Sequence, residues 1–119
     1  MSLRKKQSIF AQNVGKLIAF AYENCYELTL GEAQRTIEQQ RIYVETGASK
    51  TMRSNHLNKM AIDLNVFIDG RLTYEFEDIK PLGDYWESLH PHNRWGGDWN
   101  KNDKKDGWLD TPHFEMQNK

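Results

Sequence analysis

The chain has a single cysteine, Cys25, so an internal disulfide and a cysteine-based zinc site are both excluded. A lone thiol of this kind reads as a buried structural residue rather than a reactive one. No stretch approaches the roughly 18 consecutive apolar residues that a membrane span needs. The formal net charge is only -1 and the pI about 6.4, which removes any electrostatic reason to expect a nucleic-acid or membrane-surface partner. Linkers, repeats and low-complexity tracts are also missing. Residues 1–119 therefore read as one domain with a modest core. The mean hydropathy of -0.84 marks a very polar chain. Four Trp, five Tyr and five Phe offset that, because a few large aromatics bury much area in a small fold.

The first residues, with Arg4-Lys5-Lys6, look like the charged start of a signal peptide. Gln12, Asn13, Lys16 and Glu23 interrupt the apolar residues after them, and no small-residue cleavage site is present. The expectation is a folded helix in a protein made in the cytoplasm without its own export signal, with no membrane insertion, acting as a monomer.

Ile9, Phe10, Val14, Leu17, Ile18, Ala21 and Tyr22 recur at helical spacing and predict a first amphipathic helix over 7–23. Residues 26–30 read as a short strand. A second helix is expected from Thr36, whose hydroxyl can cap it, to a stop before Gly47. The run 60–68 alternates and is rich in strand formers, and Asp69-Gly70 is a strong hairpin signal into 71–74. Residues 76–89 read as a third helix with an irregular start around Pro81, ended by Pro91. A loop is expected over 94–109 and a last strand over 112–116. Helices and antiparallel strands in this order predict an α+β domain, a small antiparallel sheet packed by helices.

Two short segments carry the chemistry. One holds His56 and Asp63, seven apart; the other holds Asp110 and His113, three apart. Two imidazoles and one carboxylate suit a catalytic zinc ion, which takes three protein ligands and leaves a fourth position open. The second carboxylate is then free to act as general base. Each residue also has a plainer reading. Asp63 could face solvent on an edge strand, although its neighbours Ile62 and Leu64 are apolar and a buried Asp needs a partner. His113 could be a satisfied core histidine, and Asp110 a turn residue before Thr111-Pro112. His90 and His92 flank Pro91 and read as solvated. The Trp95-Gly96-Gly97-Asp98-Trp99 segment reads as a cleft wall rather than a ligand set. Glu115 is expected off the face of Phe114, in a supporting role at most.

These residues resemble the zinc peptidases that cut bacterial cell-wall peptides: D-alanyl-D-alanine carboxypeptidases and dipeptidases, and the L-alanyl-D-glutamate endopeptidases of phage endolysins. The pattern of that family is Ser-x-His, four residues, Ala-x-Asp, and later an acidic residue, two residues, then His. Ser54, His56, Ala61 and Asp63 match its first part, and Asp110 and His113 its second. The acidic residue is Asp rather than Glu, as in the phage endopeptidase branch. The segment from Gly31 to Gln40 is similar to the family stretch in which an arginine precedes a Glu-Gln helix, and this points to Arg35. Without the resemblance, Arg35 would read as half of a surface salt bridge.

The resemblance implies a Hedgehog/D-Ala-D-Ala peptidase-like fold with Zn²⁺ held by His56, Asp63 and His113. It implies Asp110 as general base, Arg35 on the substrate carbonyl or carboxylate, and Ser54 hydrogen-bonded to the site or substrate. The implied substrate is the peptidoglycan stem peptide, cut as by an L-alanyl-D-glutamate endopeptidase of phage or prophage origin. The route to the wall would be a pore made by another phage protein. A D-alanyl-D-alanine carboxypeptidase, a non-catalytic zinc-containing wall-binding module and a metal-free structural protein are the alternatives. Two departures from the family stand out. Many members carry Gly where this chain has Lys59, and no separate wall-binding domain is expected within these residues.

Overall fold

The computed structural model describes residues 1–31, 58–99 and 109–118. Within them the chain forms two helices, α1 (Leu3–Glu23) and α2 (Phe76–Leu89), and five strands: β1 (Tyr26–Leu30), β2 (Ala61–Ile68), β3 (Arg71–Thr73), β4 (Asn93–Trp95) and β5 (His113–Met116). The α+β expectation holds. The helix expected from Thr36 lies outside the described residues, as does most of the loop expected over 94–109.

The strands make one antiparallel sheet in the order β1-β2-β5-β4, with β3 also paired to β2. The eight-residue β2 is the shared member. Its C-terminal half lies against β1 and β3, and its N-terminal half pairs β5, with Ala61 opposite Glu115, Ile62 opposite Phe114 and Asp63 opposite His113. Asp69 and Gly70 close the β2–β3 hairpin at φ 52° and 77°. Both angles are positive, as a tight hairpin turn matched to the strand twist requires.

Strand alternation sorts the sheet into two faces. Ile62, Leu64, Val66, Trp95, Phe114 and Met116 point to the helices and are buried. Phe10, Leu17 and Ala21 of α1 and Phe76, Ile79, Leu82 and Trp86 of α2 cover them. Aromatic edges organise this layer: Trp86 meets Phe10 at 5.6 Å and Phe114 at 6.1 Å, both near perpendicular. The two buried indoles also donate hydrogen bonds to the backbone around β5, Trp86 Nε1 to the Glu115 carbonyl at 2.9 Å and Trp95 Nε1 to the Thr111 carbonyl at 2.8 Å. His113 lies between those two anchor points.

Several local expectations change. α1 begins at Leu3 rather than at residue 7, with Ser2 accepting from the Lys5 amide as its N-cap. Tyr22 is exposed, and its hydroxyl contacts the backbone of Leu28 instead of entering the core. Cys25 is exposed, not buried, and sits at φ 67° in the turn that leaves α1. α2 runs through Pro81 without an irregular start. Arg94 and Trp95 belong to β4, not to a loop: three residues are too few to show a period, and pairing with β5 makes them a strand.

Two backbone positions carry opposite constraints. A Cβ on Gly83, inside α2, would meet the buried Trp95 ring at 2.2 Å. Lys59 sits at φ 58°, the left-handed region where an L side chain is strained and glycine is not. Gly83→Ala should therefore destabilise by about 1–3 kcal/mol through overpacking. Lys59→Gly should stabilise by up to about 1 kcal/mol, the left-handed strain relieved exceeding the entropy glycine adds to the unfolded chain. Denaturant midpoints of the two variants check both signs.

Candidate active site

The face of the sheet turned away from the helices is polar. On β2, Asp63 alternates with the inward Ile62 and Leu64; on β5, His113 and Glu115 alternate with the inward Phe114 and Met116. The register that sets Asp63 opposite His113 places their side chains side by side. His113 Nδ1 is 3.1 Å from Asp63 Oδ1. Since β2 is paired along both edges, the reading of Asp63 as the solvent side of an edge strand fails; its side chain is only 19 % exposed.

Asp110 reaches the same point from the turn before β5. Its carbonyl accepts the His113 amide at 3.0 Å, and its own amide donates to the Gly96 carbonyl at 2.8 Å. Gly96 in turn donates to the His113 carbonyl at 2.8 Å. A side chain at Gly96 would have its Cβ 2.1 Å from the Asp110 carbonyl oxygen and 3.0 Å from the His113 Cβ, so this close approach needs glycine. The turn brings Asp110 Oδ2 to 4.0 Å from His113 Nδ1. Asp110 is thus both a turn residue and a member of the cluster.

Asp63, Asp110 and His113 each offer one donor atom, and these atoms all lie within 4.8 Å of one another. An oxygen, oxygen and nitrogen set converging in a partly buried place could hold a metal ion, and its donor types are ones zinc accepts. The local charge agrees. Among the described residues, Asp63, Asp110 and Glu115 gather around one imidazole, and a divalent cation would offset part of that negative charge.

The other edge of the His113 ring is occupied too. Nε2 lies 2.7 Å from Glu115 Oε1, and Glu115 Oε2 accepts from Arg94 Nη2 at 3.0 Å. The Arg94 guanidinium lies 4.6 Å from the centroid of the Trp99 ring, and that ring is 5.4 Å from the His113 ring. Trp99 therefore does wall the site, whereas Trp95, from the same segment, is core. His90 and His92 pair with each other at a ring distance of 5.1 Å and take no part in the cluster.

These contacts shift two titrations. Burial would lower the His113 pKa, but hydrogen bonds and charge from Asp63 and Glu115 outweigh it and raise the value from 6.5 to about 9. Burial would raise the Glu115 carboxyl, but its bond to His113 and the charges of His113 and Arg94 bring it below its ordinary value.

A family model described as phage L-alanyl-D-glutamate peptidase matches residues 4–117. The chain belongs to that family. It is 35% identical over 108 residues to the L-alanyl-D-glutamate peptidase of Listeria phage A118, an alignment covering 87% of this chain and 35% of that protein. It thus spans about a third of the length of this curated relative. Among solved structures it is similar to the Serratia marcescens L-Ala D-Glu endopeptidase ChiX, with a TM-score of 0.63 and 26% identity, over 85% of this chain and 75% of that one. The peptidase-like fold expected from the sequence is the observed one.

Of the site residues expected from the sequence, Asp63, Asp110 and His113 come together; His56, Arg35 and Ser54 lie outside the described residues. Sequence reasoning missed Arg94 and underrated Glu115. The period-2 spacing of His113 and Glu115 on one strand was the available signal for the second. For Arg94 there was none, because its strand is defined only by pairing.

The pH response of the metal-free protein comes from these shifts. A pKa raised in the folded state gives stability that is fully present below the unfolded value, near 6.5, and lost as pH rises through about 9. The Glu115 contribution has the opposite sense: it is present above the ordinary carboxylate range and lost as pH falls. The melting temperature of chelator-treated protein should therefore fall between pH 6.5 and 9. A metal ion bound through His113 would compete with the same proton, so its apparent affinity would rise about tenfold per pH unit across that window. Thermal melts and chelator competition at several pH values check both.

Proposed function

We propose that residues 1–119 are a single zinc peptidase domain that hydrolyses the L-alanyl-D-glutamate bond of bacterial peptidoglycan stem peptides. The convergence of Asp63, Asp110 and His113 on one point of the polar sheet face carries this reading, in a chain that belongs to a family of such peptidases. The relatives' names support the choice of bond: both the phage A118 protein and ChiX are described as acting between L-Ala and D-Glu.

In this reading Asp63 and His113, together with His56, hold Zn²⁺. Zinc, when bound, supplies the Lewis acidity that polarises the scissile carbonyl and activates water. Asp110, which matches the acidic residue of the family pattern, acts as general base, taking a proton from the attacking water and passing one to the leaving amine. Arg35 donates to the carbonyl oxygen where negative charge develops. Ser54 hydrogen-bonds to the substrate. Trp99 shields one side of the His113 ring from solvent. The place of action is the cell wall, reached through a phage-encoded pore.

Mass spectrometry of purified peptidoglycan after digestion by the zinc-loaded protein tests this directly. New fragments ending at L-Ala and starting at D-Glu are expected; release of terminal D-Ala instead would make the protein a carboxypeptidase. Asp110→Ala should keep stoichiometric zinc and lose about 10²–10⁴-fold in turnover, the usual contribution of a general base. His113→Ala should lose zinc and turnover together. Near-normal turnover by Asp110→Ala would refute its role as base. Arg35→Ala should slow cleavage without lowering the melting temperature.

A further inference from the structure

A metal ligand histidine has two ring nitrogens to offer, and the neighbours of His113 select one. Nε2 lies 2.7 Å from Glu115 Oε1, with the two side chains only 8 % and 6 % exposed. The second Glu115 oxygen is taken by Arg94 at 3.0 Å. An ionised carboxylate only accepts hydrogen bonds, so Nε2 carries a hydrogen and donates it. The opposite ring nitrogen, Nδ1, faces Asp63 Oδ1 at 3.1 Å and Asp110 Oδ2 at 4.0 Å. That is where the other candidate donors converge.

Glu115 is held in place from several sides. Arg94 and Glu115 are direct register partners on β4 and β5, so their ion pair spans adjacent strands. The guanidinium lies on Trp99, whose ring also lies against His113, which closes a cycle of four side chains: Trp99, Arg94, Glu115 and His113. A planar guanidinium held this way loses little further freedom in gripping a carboxylate. From the core side, the Trp86 indole fixes the Glu115 carbonyl at 2.9 Å.

We propose that Glu115, braced by Arg94 and Trp99, is the positioning residue that keeps His113 in its Nε2–H form and presents Nδ1 to the metal. The inference rests on the zinc peptidase reading above. Glu115 touches neither substrate nor metal in this arrangement; it acts through His113, as a carboxylate behind a metal-ligating histidine fixes the tautomer and raises ligand basicity.

Long-range ¹H–¹⁵N correlation spectra of zinc-loaded, ¹⁵N-histidine-labelled protein should show His113 with Nε2 protonated and Nδ1 on the metal. Glu115→Gln keeps the size but removes the charge and offers a competing amide donor; it should weaken zinc binding about 10–100-fold in chelator competition. Arg94→Met, which removes the guanidinium from Glu115 and Trp99 but leaves the Glu115 carboxylate on His113, should weaken it less. His113 bound through Nε2, or a Glu115→Gln affinity within about twofold of the wild type, overturns the proposal and leaves the peptidase reading standing. Wild-type protein that takes up no zinc overturns both. Should Glu115→Gln fail to fold, the wild-type spectrum alone decides.

Discussion

The pairing of β2 with β5 is the constraint on which the rest depends. With Ile62 opposite Phe114, the same register puts Asp63 opposite His113 on the other face. Slipping it by one residue would turn every side chain of β5 over, sending Phe114 into water and His113 into the core. The hydrophobic layer thus enforces the register, and the register assembles the site. Stability and chemistry share one set of strand contacts, read from opposite faces.

The core also aims the site more finely than burial alone would. Trp86 and Trp95 are fully buried, and each indole satisfies its N–H on the backbone near β5, at Glu115 and Thr111. A buried indole N–H without a partner would cost free energy, so these bonds hold both the tryptophans and the strand. The strand segment carrying His113 is pinned at both ends from below. Gly96 then allows the Asp110 turn to close over the same residue from the side.

The polar face obeys a charge logic. Among the described residues, three carboxylates gather near one imidazole, with Arg94 as a cation at the outer edge. Without a metal, a proton on His113 offsets part of that negative charge, which is why its pKa rises despite burial. A bound dication would take over that role. Metal binding here would thus be tied to proton release, a general property of sites whose ligands must lose a proton to bind.

Much of this was legible in the one-dimensional chain. A 3.6 period marked α1, alternation marked β2, short strands were expected at β1 and β5, and Asp69-Gly70 marked the hairpin; of the four residues expected at a metal, Asp63, Asp110 and His113 come together. Those signals are local, because each depends on residues a few positions apart. Long-range pairing settled the remainder. It made β4 a strand and linked Arg94 to Glu115 across two strands. Lys59 takes a positive φ that no composition rule anticipates. Residue types define which chemistry is possible; which carboxylate each nitrogen of His113 faces is decided by the folded sheet, which brings Asp63, 50 positions away, to Nδ1 and Glu115, two away, to Nε2.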